Sequence, residues 1–173
     1  MRLPFSLALT LLVLPPLLAA PPAAAVDERT SYSIKEALDS PVGRKRVRAD
    51  VALYFAGQAP PADTRPLGQV DAHRRGTIGM VDTGTSANTG GERFPNTISG
   101  QHDRLTKEAC VKAFVVVLSD LQVKARRAGA DAVIELKSNF RGQELASDSQ
   151  FLCGHGVWRA HVALHGQMAK LAR

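Results

Sequence analysis

The run TKEACVKAFVVVLSDLQVKARRAGADAVIEL (residues 106–136) decides how this chain folds. Cys110, Phe114, Val117, Leu121, Ala125 and Ala128 recur at steps of three and four, which lays one apolar stripe along a helix over 106–128. Val111, Val115 and Leu118 widen that stripe, so the early turns need cover on more than one side. Lys124, Arg126 and Arg127 stand in the last turns, where they complement the helix dipole, and Gly129 suits the position just past the end. The short apolar run Ala132-Val133-Ile134-Glu135-Leu136 then reads as a buried strand over 131–139.

Outward from this helix and strand, the flanking segments alternate with period two. Trp158, Ala160, Val162 and Leu164 face one way and Arg159, His161 and His165 the other, which predicts a last strand over 155–166. Trp158 is placed with the core face, packing against the helix. Val51, Leu53 and Phe55 predict a strand over 49–56, and a weaker one is expected from about Gln69 to Val81. Residues 26–48 read as a polar segment with short helices. Ser33 and Glu36 stand at capping-box spacing, and Ser40-Pro41 gives a second helix start. Residues 82–102, rich in Gly, Thr, Ser and Asn, read as a long flexible loop, and 141–150 as a shorter polar one. The pattern is α+β: one long helix packed on a small, mainly antiparallel sheet, in a single domain over 49–173.

The first twenty-five residues bear on compartment. Met1-Arg2 is a positive start, Leu3 to Leu18 an apolar run, and Ala23-Ala24-Ala25 a cleavage-site pattern before Val26. Pro15-Pro16 breaks the run, which is short for a bilayer span. The expectation is a signal peptide over 1–25 and a periplasmic or secreted protein with no stable membrane insertion after cleavage. In an oxidising compartment the two cysteines, Cys110 and Cys153, read as one disulfide. Closing a loop of about 44 residues is worth about 4 kcal/mol by loop entropy.

The formal charge is +6. The basic residues fall in short groups: Arg44-Lys45-Arg46 with Arg48, Arg74-Arg75, and Lys124 with Arg126-Arg127. For an exported protein, this balance points to an envelope protein or an anionic envelope component as partner rather than to nucleic acid. An oligomer is compatible with the sequence.

Three candidate chemistries arise from side chains. Asp82-Thr83-Gly84 matches the turn of an aspartic peptidase, where two carboxylates share a proton to activate water. The polar residues 85–102 lack the apolar strand that such a turn needs behind it, which favours a plain turn. Metal binding has His155, His161 and His165 as candidates, with Cys153-x-His155 as the short chelating spacing. Residues four apart on a strand are about 13 Å apart, however, and a disulfide consumes the Cys153 thiolate. The third is an interaction face formed by Arg159, His161 and His165. No cofactor is expected.

The segments EAC (108–110), GADAVI (129–134), FLCG (151–154) and VALHG (162–166), with SIKEALDSP (33–41) and VALYF (51–55), resemble a family of small exported proteins of Gram-negative bacteria. That family carries the label "excinuclease ATPase subunit". The helix ending in GADAV is also similar to YbjQ-like and RcsF-like α+β domains, the latter being disulfide-bearing envelope stress sensors. The resemblance implies an α+β fold and an envelope location. It does not carry the ATPase activity of the label, because the chain has no G-x-x-x-x-G-K-[ST] phosphate loop. A binding or sensing role, with no enzymatic activity, is the function expected.

Overall fold

The computed structural model describes residues 28–79 and 95–172. The signal-peptide segment 1–25 and the Asp82 turn lie outside the described residues. The elements are β1 (Glu28–Ser33), α1 (Ile34–Asp39), α2 (Pro41–Arg46), β2 (Ala52–Phe55), β3 (Arg65–Thr77), α3 (Pro95–Arg127), β4 (Ala132–Phe140), β5 (Gln143–Leu145), β6 (Gln150–His155) and β7 (Arg159–Lys170). The α+β expectation holds: one long helix and two short ones pack on a seven-stranded sheet in which only the β2–β4 pair is parallel.

Strand β7 is the spine of the sheet. One edge is paired along its length by β3, from Arg65↔Lys170 to Thr77↔Arg159. The other edge is divided between β6, which meets only Ala160 and His161, and β4, which takes over from Leu164 to Ala169. A bulge on β4 makes the handover, with Glu135 in the left-handed region at φ 52°. Opposite the bulge stands Gly166, where a Cβ would lie 2.8 Å from the Ile134 carbonyl oxygen. Glycine is needed there because the bulged backbone comes too close for any side chain.

The helices all lie on one face. Phe114, Val117, Leu118, Leu121 and Ala125 of α3 are buried against Ala160, Val162 and Leu164 of β7 and Val70 and Ala72 of β3. Phe114 is the centre of a line of rings, 4.0 Å from Phe151 and 6.3 Å from Phe55 between centroids. Val115 is fully buried as well, and α1 and α2 pack on α3, so the helix is covered on more than one side as the wide stripe required. The end of α3 is closed by Gly129 at φ 74°, with the Ala130 N–H donating to the Ala125 carbonyl at 2.9 Å. Cys110 and Cys153 are joined, fastening α3 to β6, and both are fully buried.

Several expectations are corrected. The helix begins at Pro95, so residues 95–102 belong to it and not to the expected loop. Ala128 is exposed, because the chain is already leaving the helix there. The last strand is two strands, β6 and β7, separated by a turn at 156–158. Trp158 sits in that turn and is 59% exposed, not in the core: the turn takes it out of the alternation that buries Ala160. Residues 28–33 are not a lead-in outside the domain but an edge strand paired with β6 from Glu28↔His155 to Ser33↔Gln150. Ser33 and Ser40 do cap α1 and α2, accepting from the Glu36 and Gly43 amides at 3.2 and 3.1 Å.

One buried polar side chain holds α3 to the segment before β2. Gln122, 1% exposed, accepts from the Arg48 amide at 3.0 Å and donates to the carbonyls of Arg48 and Val51 at 2.6 and 2.8 Å. Gln122→Leu strands three backbone groups and is expected to lower stability by about 2–3 kcal/mol in urea unfolding. A loss under about 0.5 kcal/mol would show that water reaches those groups instead.

Candidate anion-binding site

The sheet face opposite the helices carries the odd-numbered residues of β3 and β7, and its chemistry changes along its length. At one end Ala132, Ile134 and Ala169 form a small apolar cluster. Next come paired charges. Gln167 donates to Glu135 at 3.1 Å, and Glu144 lies 3.2 Å from His165 Nε2 and 3.9 Å from Lys137 Nζ. Asp71 stands beside His165 across the β3–β7 ladder. The rings of His73 and His161 then meet edge to face at 6.0 Å. Beyond them, the far end of the face is cationic.

That end holds a cavity of about 170 Å³ lined by Arg75 of β3, Arg159 and His161 of β7, and Gly154 and His155 of β6, with Phe140 and Arg141 at the end of β4. At about 30 Å³ per water this is roughly six water volumes, enough for a small oxyanion with part of its hydration. Phe140, 1% exposed, forms the floor. It lies over Gly154, where any Cβ would enter its ring, and its edge meets the His161 ring at 5.3 Å. The Arg141 guanidinium carbon stands 5.6 Å over the same ring. His155, the last residue of β6, is fixed by Thr30 of β1 at 2.9 Å between Oγ1 and Nε2.

The turn that carries Arg141 is unusual. Arg141 and Gly142 close the β4–β5 hairpin with φ of 50° and 76°, the two left-handed residues of a tight hairpin turn. Asn or Gly is the ordinary occupant of the first position, and another side chain there costs about 1–2 kcal/mol. The strain is borne at a position that aims a guanidinium into the cavity rim.

Some basic groups elsewhere on the surface are tied to carboxylates. Arg74 donates to Asp120 at 2.8 Å, which raises its pKa, and Arg126 reaches Asp50 at 3.0 Å. Lys107 meets Glu36 at 2.7 Å. Arg75 points to the opposite face from Arg74. Among the described residues neither Arg75 nor Arg159 has a carboxylate at ion-pair distance, and no carboxylate lines the cavity. Cationic donors converging on a floor of aromatic edge and buried glycine can hold an anion by charge-assisted hydrogen bonds.

Of the sequence candidates, Arg159 and His161 do share one site, joined by His155, while His165 lies further along the face with Glu144. Cys153 is bonded to Cys110, so the Cys153-x-His155 chelate has no free thiolate. Among the described residues no three His, Cys, Asp or Glu side chains are gathered to hold a metal ion. Arg75 is read in the sequence only as one of the scattered basic pairs, and Phe140, Arg141 and Gly154 are not assigned to a site there. A glycine inside an otherwise apolar strand and the Arg-Gly hairpin pair were the available signals.

Comparisons of the chain with protein-family models, curated proteins and solved structures found no match. Among the described residues no helix is long and apolar enough to cross a membrane.

Proposed function

We propose that the chain is an exported binding module that holds an anionic group of an envelope component in the cationic cavity of its helix-free sheet face. The observation that carries this reading is convergence: Arg75 and Arg159, neither with a described carboxylate at ion-pair distance, meet at one cavity that no described carboxylate lines. Export is supported by the leader-like residues 1–25 and by the buried disulfide, a bond that persists in oxidising compartments. The resemblance to small exported proteins of Gram-negative bacteria, and more distantly to RcsF-like envelope sensors, points the same way. Recognition on this reading is electrostatic and involves no bond-making step.

Adjacent arginines provide the test. Titration calorimetry with inorganic phosphate should show Arg75→Ala and Arg159→Ala each weakening binding about tenfold or more, the effect of losing a charge-assisted hydrogen bond. Arg74→Ala, on the other face and tied to Asp120, should leave it within about twofold. Equal losses from Arg74→Ala and Arg75→Ala would mean that only net charge matters and that the cavity is not the site.

A further inference from the structure

The β6–β7 hairpin is closed by the Gly156 amide donating to the Arg159 carbonyl at 3.0 Å, which leaves Val157 and Trp158 as its two-residue tip. Tips of this length are ordinarily built from Asn, Asp and Gly. Here they are two large apolar side chains, 64% and 59% exposed, and neither takes a positive φ that would explain its choice. Among the described residues only Leu67, at 39%, is another exposed large hydrophobe. The next residue is Arg159, a wall of the cationic cavity, and Arg75 and Arg141 stand at the same end of the sheet. The end of the molecule therefore presents an indole and a valine directly beside three guanidinium groups.

This juxtaposition has a specific chemical complement. An indole at a protrusion is stabilised in the headgroup layer of a bilayer, where its ring is half in hydrocarbon and its N–H stays hydrated. Arginine beside it meets the phosphates of that layer, and the attraction is strongest for anionic lipids. An acidic protein would satisfy the arginines but gives no reason for a bare Val-Trp tip, and free phosphate gives none either. We infer that this end docks reversibly on an anionic phospholipid surface, with Val157 and Trp158 entering the headgroup layer while Arg75 and Arg159 hold a lipid phosphate. The inference rests on the anion-binding reading above and names the source of the anion. It is a peripheral contact, distinct from a membrane span.

Trp158 is the sole tryptophan of the chain, so its emission reports on this tip alone. The protein recovered oxidised from the envelope fraction of expressing cells is mixed with vesicles of phosphatidylglycerol and phosphatidylethanolamine, with vesicles of phosphatidylcholine, or with inorganic phosphate. The expected result is a blue shift of Trp158 emission and co-sedimentation with the phosphatidylglycerol vesicles only, both reversed by raising salt. Arg75→Ala and Arg159→Ala should each lower vesicle partitioning about fivefold. Val157→Ser with Trp158→Ser should abolish sedimentation while leaving phosphate binding unchanged. Unshifted emission with phosphatidylglycerol vesicles overturns the lipid assignment. If phosphate still binds the cavity, the anion reading survives that failure; if it does not, both fall. A blue shift that grows with protein concentration in the absence of lipid also overturns the assignment, because a second copy then covers Trp158.

Discussion

The double variant Cys110→Ala/Cys153→Ala is expected to lose about 4 kcal/mol of stability in urea unfolding under oxidising conditions. The bond closes a loop 43 residues apart in sequence and joins the middle of α3 to β6. Without it the unfolded chain regains the loop entropy, which at this length is worth about 4 kcal/mol. The folded state also loses the packing of two fully buried sulfurs. A domain of this size has a net stability of about 5–15 kcal/mol, so the loss takes a large share of it. β1 pairs only with β6. Both strands should therefore be the first to exchange amide hydrogens in the variant. A loss below about 1 kcal/mol would mean that the apolar contacts of Phe114 and Phe151 alone hold β6 in place.

The second large effect is expected at Gly154. A Cβ on this residue would lie inside the Phe140 ring, and Phe140 is too buried to swing aside without leaving its place. Gly154→Ala should therefore cost about 2–3 kcal/mol through overpacking and weaken phosphate binding about tenfold, since the displaced ring is the cavity floor. The two effects share one cause, which a double variant exposes. Phe140→Ala in the Gly154→Ala background should recover part of the stability without restoring binding, so the two substitutions are non-additive. Strict additivity would show that the clash is relieved by backbone movement and that the ring does not shape the cavity.

The elements that were legible in the sequence are those whose burial has one period. The stripe on α3, from Cys110 to Ala125, and the alternation of Ala160, Val162 and Leu164 are both found buried as read, Ala128 alone of the stripe being exposed. Strand β1 was not legible because it is an edge strand: the side chains of Glu28 to Ser31 are exposed, and main-chain bonds to β6 hold it. The break between β6 and β7 was hidden by its residues. Val157 and Trp158 read as strand because they are apolar and β-prone, and they replace the Asn or Gly that marks a turn. The local signal failed there for the same reason that the tip is of interest. A site residue was found where strand alternation alone placed it, as with Arg159 and His161. It was missed where a tertiary approach does so, as with Phe140 lying over Gly154.

Amide chemical-shift mapping during a phosphate titration puts the cationic cavity to the most direct trial. The account predicts saturable shifts concentrated at Arg75, Arg141, Gly154, His155, Arg159 and His161, lost in Arg159→Ala. Shifts centred instead on Arg44, Lys45 and Arg46 of α2, or spread in proportion to local positive charge, would contradict it.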